Sequence, residues 1–185
     1  TKTIALDIIL TKLLSDEDKS VKLPLIKCLE YLNDPRCVEP LMKLSGSEDF
    51  EIRGVSGGTL RRHKQVTPNH LLDGLKSDNK NVRINCIHLL GEIKKPEIID
   101  PLIKQLEDQR TRLPAIAALD GLKDKRVIKP IISCLDDKSV KVRQHAARVL
   151  RNFPDNKSIK KALISSLEDK NPGVRAIVAE SLGEI

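Results

Sequence analysis

The sequence predicts an all-α chain, a solenoid of about six two-helix repeats, and three observations carry that prediction. The basic residues Lys22, Arg53, Arg83, Arg112, Arg143 and Arg175 recur at intervals of 31, 30, 29, 31 and 32 positions. Seven residues after each stands a leucine: Leu29, Leu60, Leu90, Leu119, Leu150 and Leu182. No segment alternates apolar and polar residues with period two over a strand-like length, so no sheet is expected. Self-similarity at a fixed period near 30 marks a repeat array, in which each unit buries its apolar face against its neighbours. The expected units are 1–33, 34–63, 64–94, 95–122, 123–153 and 154–185, forming one domain over residues 1–185.

The second helix of each unit is read from spacings of three and four after the basic residue, which lie on one helical face. Three positions after it the residue is mostly small or thin: Leu25, Ser56, Cys86, Ala115, Ala146 and Val178. Small side chains let helices approach closely. The first helices start from turns such as Asn33-Asp34-Pro35, Lys95-Pro96 and Phe153-Pro154-Asp155, where proline supplies a suitable φ without losing a needed donor. Pro40, Pro101 and Pro130 recur inside these first helices and should kink them or shorten their regular part. Between the two helices lie short polar turns, among them Ser77–Asn81 and Asp136–Ser139, whose Asp and Asn side chains suit helix caps. The acidic groups Asp16-Glu17-Asp18 and Asp136-Asp137 fall in such turns and are read as solvated caps, not catalytic dyads.

Composition narrows the function. Aromatic residues are limited to Phe50, Phe153 and Tyr31, so the core must be Leu, Ile, Val and Ala. The net charge is +7, a surplus of +2 over residues 1–94 and of +5 over 95–185. That balance suits an acidic patch on a partner but lacks the dense basic runs of nucleic-acid tails. Cys28, Cys37, Cys86 and Cys134 form no CxxC pair, and three of them lie in apolar helical patterns, as small buried thiols of a reducing compartment would. No signal peptide and no apolar run near a membrane span of about 18 residues is present, so a cytoplasmic location without membrane contact is expected. The chain begins at Thr1, as a fragment would. It ends on Ile185 with Val178 and Leu182 spaced for packing, which predicts further chain or another molecule beyond that end.

The stretches Gly91-Glu92-Ile93, Leu182-Gly183-Glu184-Ile185 and Asp78 to Val82-Arg83 resemble short HEAT-like repeats of the phycobilisome-lyase type. The resemblance covers essentially the whole chain. It implies a right-handed superhelix whose second helices line the concave face. It also implies that the basic column is structural, each Arg pairing with an inter-helix acid; Asp16, Asp49, Asp78, Asp108, Asp137 and Asp169 all stand four to six residues before a column member. A phosphate-binding stripe is the competing reading of that column.

Catalytic and metal chemistry are not expected. His63, His70, His88 and His145 show no HExxH motif and no His-Glu pair of the kind carried by HEAT-repeat di-iron hydroxylases. No Gly-rich phosphate loop follows a strand. No cofactor is expected, and the chain is not read as an enzyme.

The resemblance places positions one and five after the basic column on the groove. Position one holds Leu23, Gly54, Ile84, Leu113, Gln144 and Ala176; position five holds Lys27, Gly58, His88, Ala117, Arg148 and Glu180. Leu23, Ile84 and Leu113 form either an exposed apolar strip or additional core. Gly54, Gly57 and Gly58 are expected to share the groove side and leave a notch for a partner backbone. Lys141, Arg148 and Arg151 form a basic cluster. The candidate partner-binding residues are therefore Leu23, Lys27, Gly54, Gly58, Ile84, His88, Leu113, Lys141, Gln144, Arg148 and Arg151. The function expected is a non-catalytic protein-binding scaffold. The alternatives are nucleic-acid binding through the basic patch, disfavoured by scarce aromatics, and an accessory or chaperone role beside an enzyme, as for bilin lyases.

Overall fold

The computed structural model describes residues 2–16, 18–154 and 156–185; Thr1, Glu17 and Asp155 lie outside them. All the regular structure among the described residues is helical. Twelve α-helices follow one another: α1 Lys2–Ser15, α2 Lys19–Leu32, α3 Val38–Leu44, α4 Phe50–Arg62, α5 Pro68–Gly74, α6 Lys80–Ile93, α7 Ile99–Lys104, α8 Arg112–Leu119, α9 Ile128–Ser133, α10 Val140–Leu150, α11 Lys157–Ser166 and α12 Pro172–Gly183. They pair as six helical hairpins. The chain divides into two compact units, residues 1–89 and 90–185.

Three of the first helices are short for a reason visible in the sequence. A 3-10 turn at Pro35–Cys37, Pro96–Ile98 or Lys125–Val127 leads into α3, α7 or α9, each of six or seven residues. Pro40, Pro101 and Pro130 each sit third in the α-helix that follows, where the missing N–H has no intrahelical acceptor to lose. The prolines thus shorten the regular part without breaking it. Side-chain caps start α2, α4, α11 and α12: Asp18, Asp49, Asn156 and Asn171 accept from backbone N–H groups one turn ahead. Thr67 and His70 form a reciprocal capping box at α5. Three junctions between hairpins place Asn33, Lys94 and Lys123 in the left-handed region, at φ 48°, 50° and 50°.

In the first unit, Leu6, Leu13, Ile26, Leu29, Leu41, Ile52 and Leu60 form the core. The turn after α3 is tied to α6 by asparagines: Asn79 Nδ2 donates to the Gly46 carbonyl at 2.9 Å, and Asn85 Nδ2 to the Ser45 carbonyl at 3.1 Å. A Cβ on Gly46 would lie 2.6 Å from a Val82 methyl, so only glycine fits there. In the second unit, Leu90, Leu119 and Leu150 of the leucine column are buried with Leu102, Ile131, Ala146 and Leu163. Leu182 at the column's end is half-buried, while Val178 is buried in the last hairpin.

The basic column is structural: Arg112 and Arg143 pair with inter-helix acids of the next hairpin as expected, and the column arginines also bind backbone carbonyls. Arg53, Arg83, Arg112, Arg143 and Arg175 each donate to the carbonyl six residues earlier, at 2.6–2.8 Å: Ser47, Ser77, Leu106, Asp137 and Asp169. The first turn of the second helix folds its Arg back over the inter-helix turn, so backbone carbonyls face the guanidinium. Turn carboxylates complete part of the column, and Asp49 is an exception. Asp49 caps α4. Asp137 and Asp169 accept from the Arg of the preceding hairpin, Arg112 and Arg143 respectively. Arg143 binds Asp169 with a fork, Nε to Oδ2 at 2.6 Å and Nη2 to Oδ1 at 2.8 Å, with side chains only 5% and 10% exposed.

Candidate functional site

On α2 the residues Leu23, Lys27 and Tyr31 stand four apart, and on α4 so do Gly54, Gly58 and Arg62. Four-residue steps put each set in one row along its helix, and α2 and α4 pack side by side. Between them lies an open groove of ≈ 460 Å³ lined by Lys27, Glu30 and Tyr31 from α2 and by Gly54, Val55, Gly58 and Arg62 from α4. Tyr31 is 83% exposed, more than any other large apolar side chain among the described residues. Arg62 forks onto Glu30, Nε to Oε1 and Nη2 to Oε2 at 2.8 Å each. The Arg62 guanidinium holds the Glu30 carboxyl below its ordinary range. Lys27 is exposed and has no such partner.

The three glycines of α4 do different things. A Cβ on Gly57 would come within 2.9 Å of Asn85 Oδ1, so this glycine admits the asparagine that ties α6 to the α3 turn. Gly57 therefore faces a packed neighbour, and not the groove as expected. A Cβ on Gly54 would meet nothing within 4 Å, and one on Gly58 would make only ordinary contact with Arg62 Nη1 at 3.5 Å. Packing asks for no glycine at either place, yet each destabilises a helix by about 1 kcal/mol relative to Ala.

The structure brings Lys27, Gly54 and Gly58 together in this groove. Leu23 is half-buried and packs against the first unit's core. Ile84 is half-buried and His88 exposed on α6. In the second unit Leu113 is half-buried on α8. The three apolar position-one residues are thus neither fully core nor a bare strip. Lys141 and Arg148 are exposed on α10, and Gln144 is half-buried, its Nε2 3.0 Å from where a Cβ on Gly173 would sit. Arg151 is exposed but paired with Glu184 at 3.1 Å, which leaves two free cations in the predicted basic cluster. Tyr31 and the Glu30–Arg62 pair escaped the sequence reading. The signal was there: Tyr31 lies four residues beyond Lys27, at the next step of the same row.

Burial explains the remaining titratable groups. His63 is 3% exposed, and desolvation lowers its pKa against the opposing pull of the Leu29 backbone and, less, of Asp34 and Glu30. Its Nδ1 accepts from the Gln65 N–H at 3.3 Å, while Nε2 has no partner. Burial pushes the Cys86 thiol up to about 12, and Cys28, expected inside, is exposed. Among the described residues no cluster of three or more His, Cys, Asp or Glu could hold a metal ion. No helix among them is long and apolar enough to cross a membrane.

Residues 68–141 and 128–185 match the family model described as HEAT repeats. No curated protein matches the chain. Among solved structures it is similar to the X-ray structure of the Escherichia coli protein YibA, at 21% identity over 95% of this chain and 69% of that one, with a TM-score of 0.66. It is similar to computationally designed armadillo repeat proteins for modular peptide recognition, at 17% identity over 96% and 98%, TM-score 0.60. It is also similar to human deoxyhypusine hydroxylase in complex with glycerol, at 16% identity over 98% and 74%, TM-score 0.56. Likeness at these identities establishes the α-solenoid fold and nothing of the chemistry.

Proposed function

The chain belongs to the HEAT repeats, and we propose that it works as a non-catalytic protein-binding scaffold that holds partners on its second-helix faces. One observation carries the reading. Gly54, exposed, and Gly58, half-buried, keep α4 bare at two groove positions where packing requires no glycine, beside the exposed ring of Tyr31 and the unpaired Lys27. A backbone can approach closely over the two glycines. A tyrosine with its ring in water gives an anchor of low entropy cost, and Lys27 selects an acidic group on the partner. The designed armadillo proteins with a similar fold were made for peptide recognition, a use of the same architecture.

Nucleic acid is the weaker reading, because a duplex presents phosphates over its whole length. Position five runs from Ala117 through Arg148 to Glu180, and Arg151 is drawn off by Glu184. The test is a pull-down from native lysate with nuclease added to one half, repeated with Gly58→Arg and Lys27→Glu. Gly58→Arg fills the notch on an exposed helix and should raise helix stability. The reading predicts a nuclease-resistant protein partner lost in both variants while thermal melting is kept. A partner retained by both variants, or one released by nuclease, would contradict it.

A further inference from the structure

The outer edge of the second unit carries a second surface of opposite charge. A furrow of ≈ 750 Å³ opens between the α7 and α9 turns, its floor made by Ile103, Leu106, Pro130 and Cys134. One repeat on, a furrow of ≈ 400 Å³ is floored by Ile132, Leu135 and Ala162, and Asp136 lines both. Aligned on the buried first-helix residues Leu102, Ile131 and Leu163, the rim residues Glu107, Asp136 and Glu168 each stand five positions later. All three are exposed, and none has an ion-pair partner among the described residues. In the first unit the same position holds Gly46, packed against Val82, and Lys76, paired with Asp73 at 2.7 Å. Arg112, at the bottom of the first furrow, is neutralised by Asp137 and by the carbonyls of Leu106 and Glu107. Among the described residues Lys138 is the one cation on the furrow linings without an ion-pair partner.

The geometry points to a docking site for an extended basic segment of a partner protein, with Lys or Arg at every third residue and apolar residues between. Stacked hairpin helices lie about 8–10 Å apart. A polyproline-type chain advances about 3.1 Å per residue with three residues per turn, so three residues span one repeat and every third side chain faces the same rim. One cation per three residues therefore meets Glu107, Asp136 and Glu168 in turn, while the intervening apolar side chains settle on the two floors. Charge complementarity fixes the partner's sign despite the chain's overall +7. This surface is distinct from the α2–α4 groove and stands or falls without it. Together the two would let the chain join an acidic partner to a basic one.

The test uses the whole chain and two fluorescein-labelled nine-residue peptides of equal composition, read by anisotropy. One repeats Lys-Leu-Pro three times; the other gathers its three lysines at one end. The registered peptide should bind at least about fivefold more tightly than the clustered one. Glu107→Gln, Asp136→Asn and Glu168→Gln together should weaken it about tenfold, since three rim ion pairs are removed. Lys138→Ala should tighten it about twofold, and all variants should melt like the parent. Equal binding of the two peptides, no loss in the triple variant, weaker binding with Lys138→Ala or no binding at all would each overturn the proposal. Peptide-independent dimerisation abolished by the triple substitution would assign the furrow to a second copy, and so overturn it too.

Discussion

Arg143→Ala tests the Arg column where its bonds are most complete. The substitution removes the fork onto Asp169 and the donation to the Asp137 carbonyl at 2.8 Å. Asp169 is then left nearly buried with the Asn171 N–H at 2.8 Å as its recorded donor. Breaking a buried pair from one side costs about 3–5 kcal/mol, because the stranded charge keeps its desolvation penalty. The pH dependence has a definite sign. Hydrogen bonds from Arg143 hold the Asp169 carboxyl below its ordinary value of 3.8. Its contribution is therefore present above about pH 4 and is lost as the pH falls through the folded-state value. Urea denaturation followed by circular dichroism at pH 7 and near pH 2 should show a large loss at pH 7 that shrinks in acid. A loss below about 1 kcal/mol at pH 7, or an equal loss at both pH values, would refute the pairing as a stabilising tie.

Three further outcomes follow from the same contacts. Desolvation depresses His63 in the folded state, so stability is full above its ordinary value of 6.5 and declines as the pH drops through it, by at most about 1.4 kcal/mol per pH unit; His63→Gln should flatten that segment of a urea-midpoint profile. Gly54→Ala should stabilise by about 1 kcal/mol, whereas Gly57→Ala should destabilise by about 1–3 kcal/mol through its clash with Asn85; thermal melts that move together would contradict the division of the glycines. Lys123→Gly, at φ 50°, should stabilise by about 0.5–1 kcal/mol in the same melts.

The hairpins were legible because the Leu29-to-Leu150 column is set by a strict spacing and by burial, which no neighbour can override. What a side chain faces was less legible. Asp49 and Asp137 stand equally well placed before their Arg residues in sequence, but one caps its own helix and the other reaches back to Arg112. Gly57 and Gly58 are adjacent in sequence, yet 100° of helical rotation sends one to Asn85 and the other to the groove. The acidic rim was hidden by the choice of register. Glu107 precedes its Arg by five residues while Asp136 and Glu168 precede theirs by seven, so alignment on the Arg column scatters a row that alignment on Leu102, Ile131 and Leu163 restores. Cys28 follows the apolar pattern of α2 but lies outside, because its neighbour Leu29 takes the core position.

The scaffold reading turns on whether the α2–α4 groove meets a protein in the cell. Photo-crosslinking from a benzoylphenylalanine placed at Tyr31 or Gly58, compared with one at Glu39 on α3 away from the groove, measures this directly. The account predicts one discrete, nuclease-resistant protein adduct from positions 31 and 58, weakened by Lys27→Glu, and none of that size from position 39. Equal adducts from all three positions, an adduct removed by nuclease, or none from the groove would contradict it.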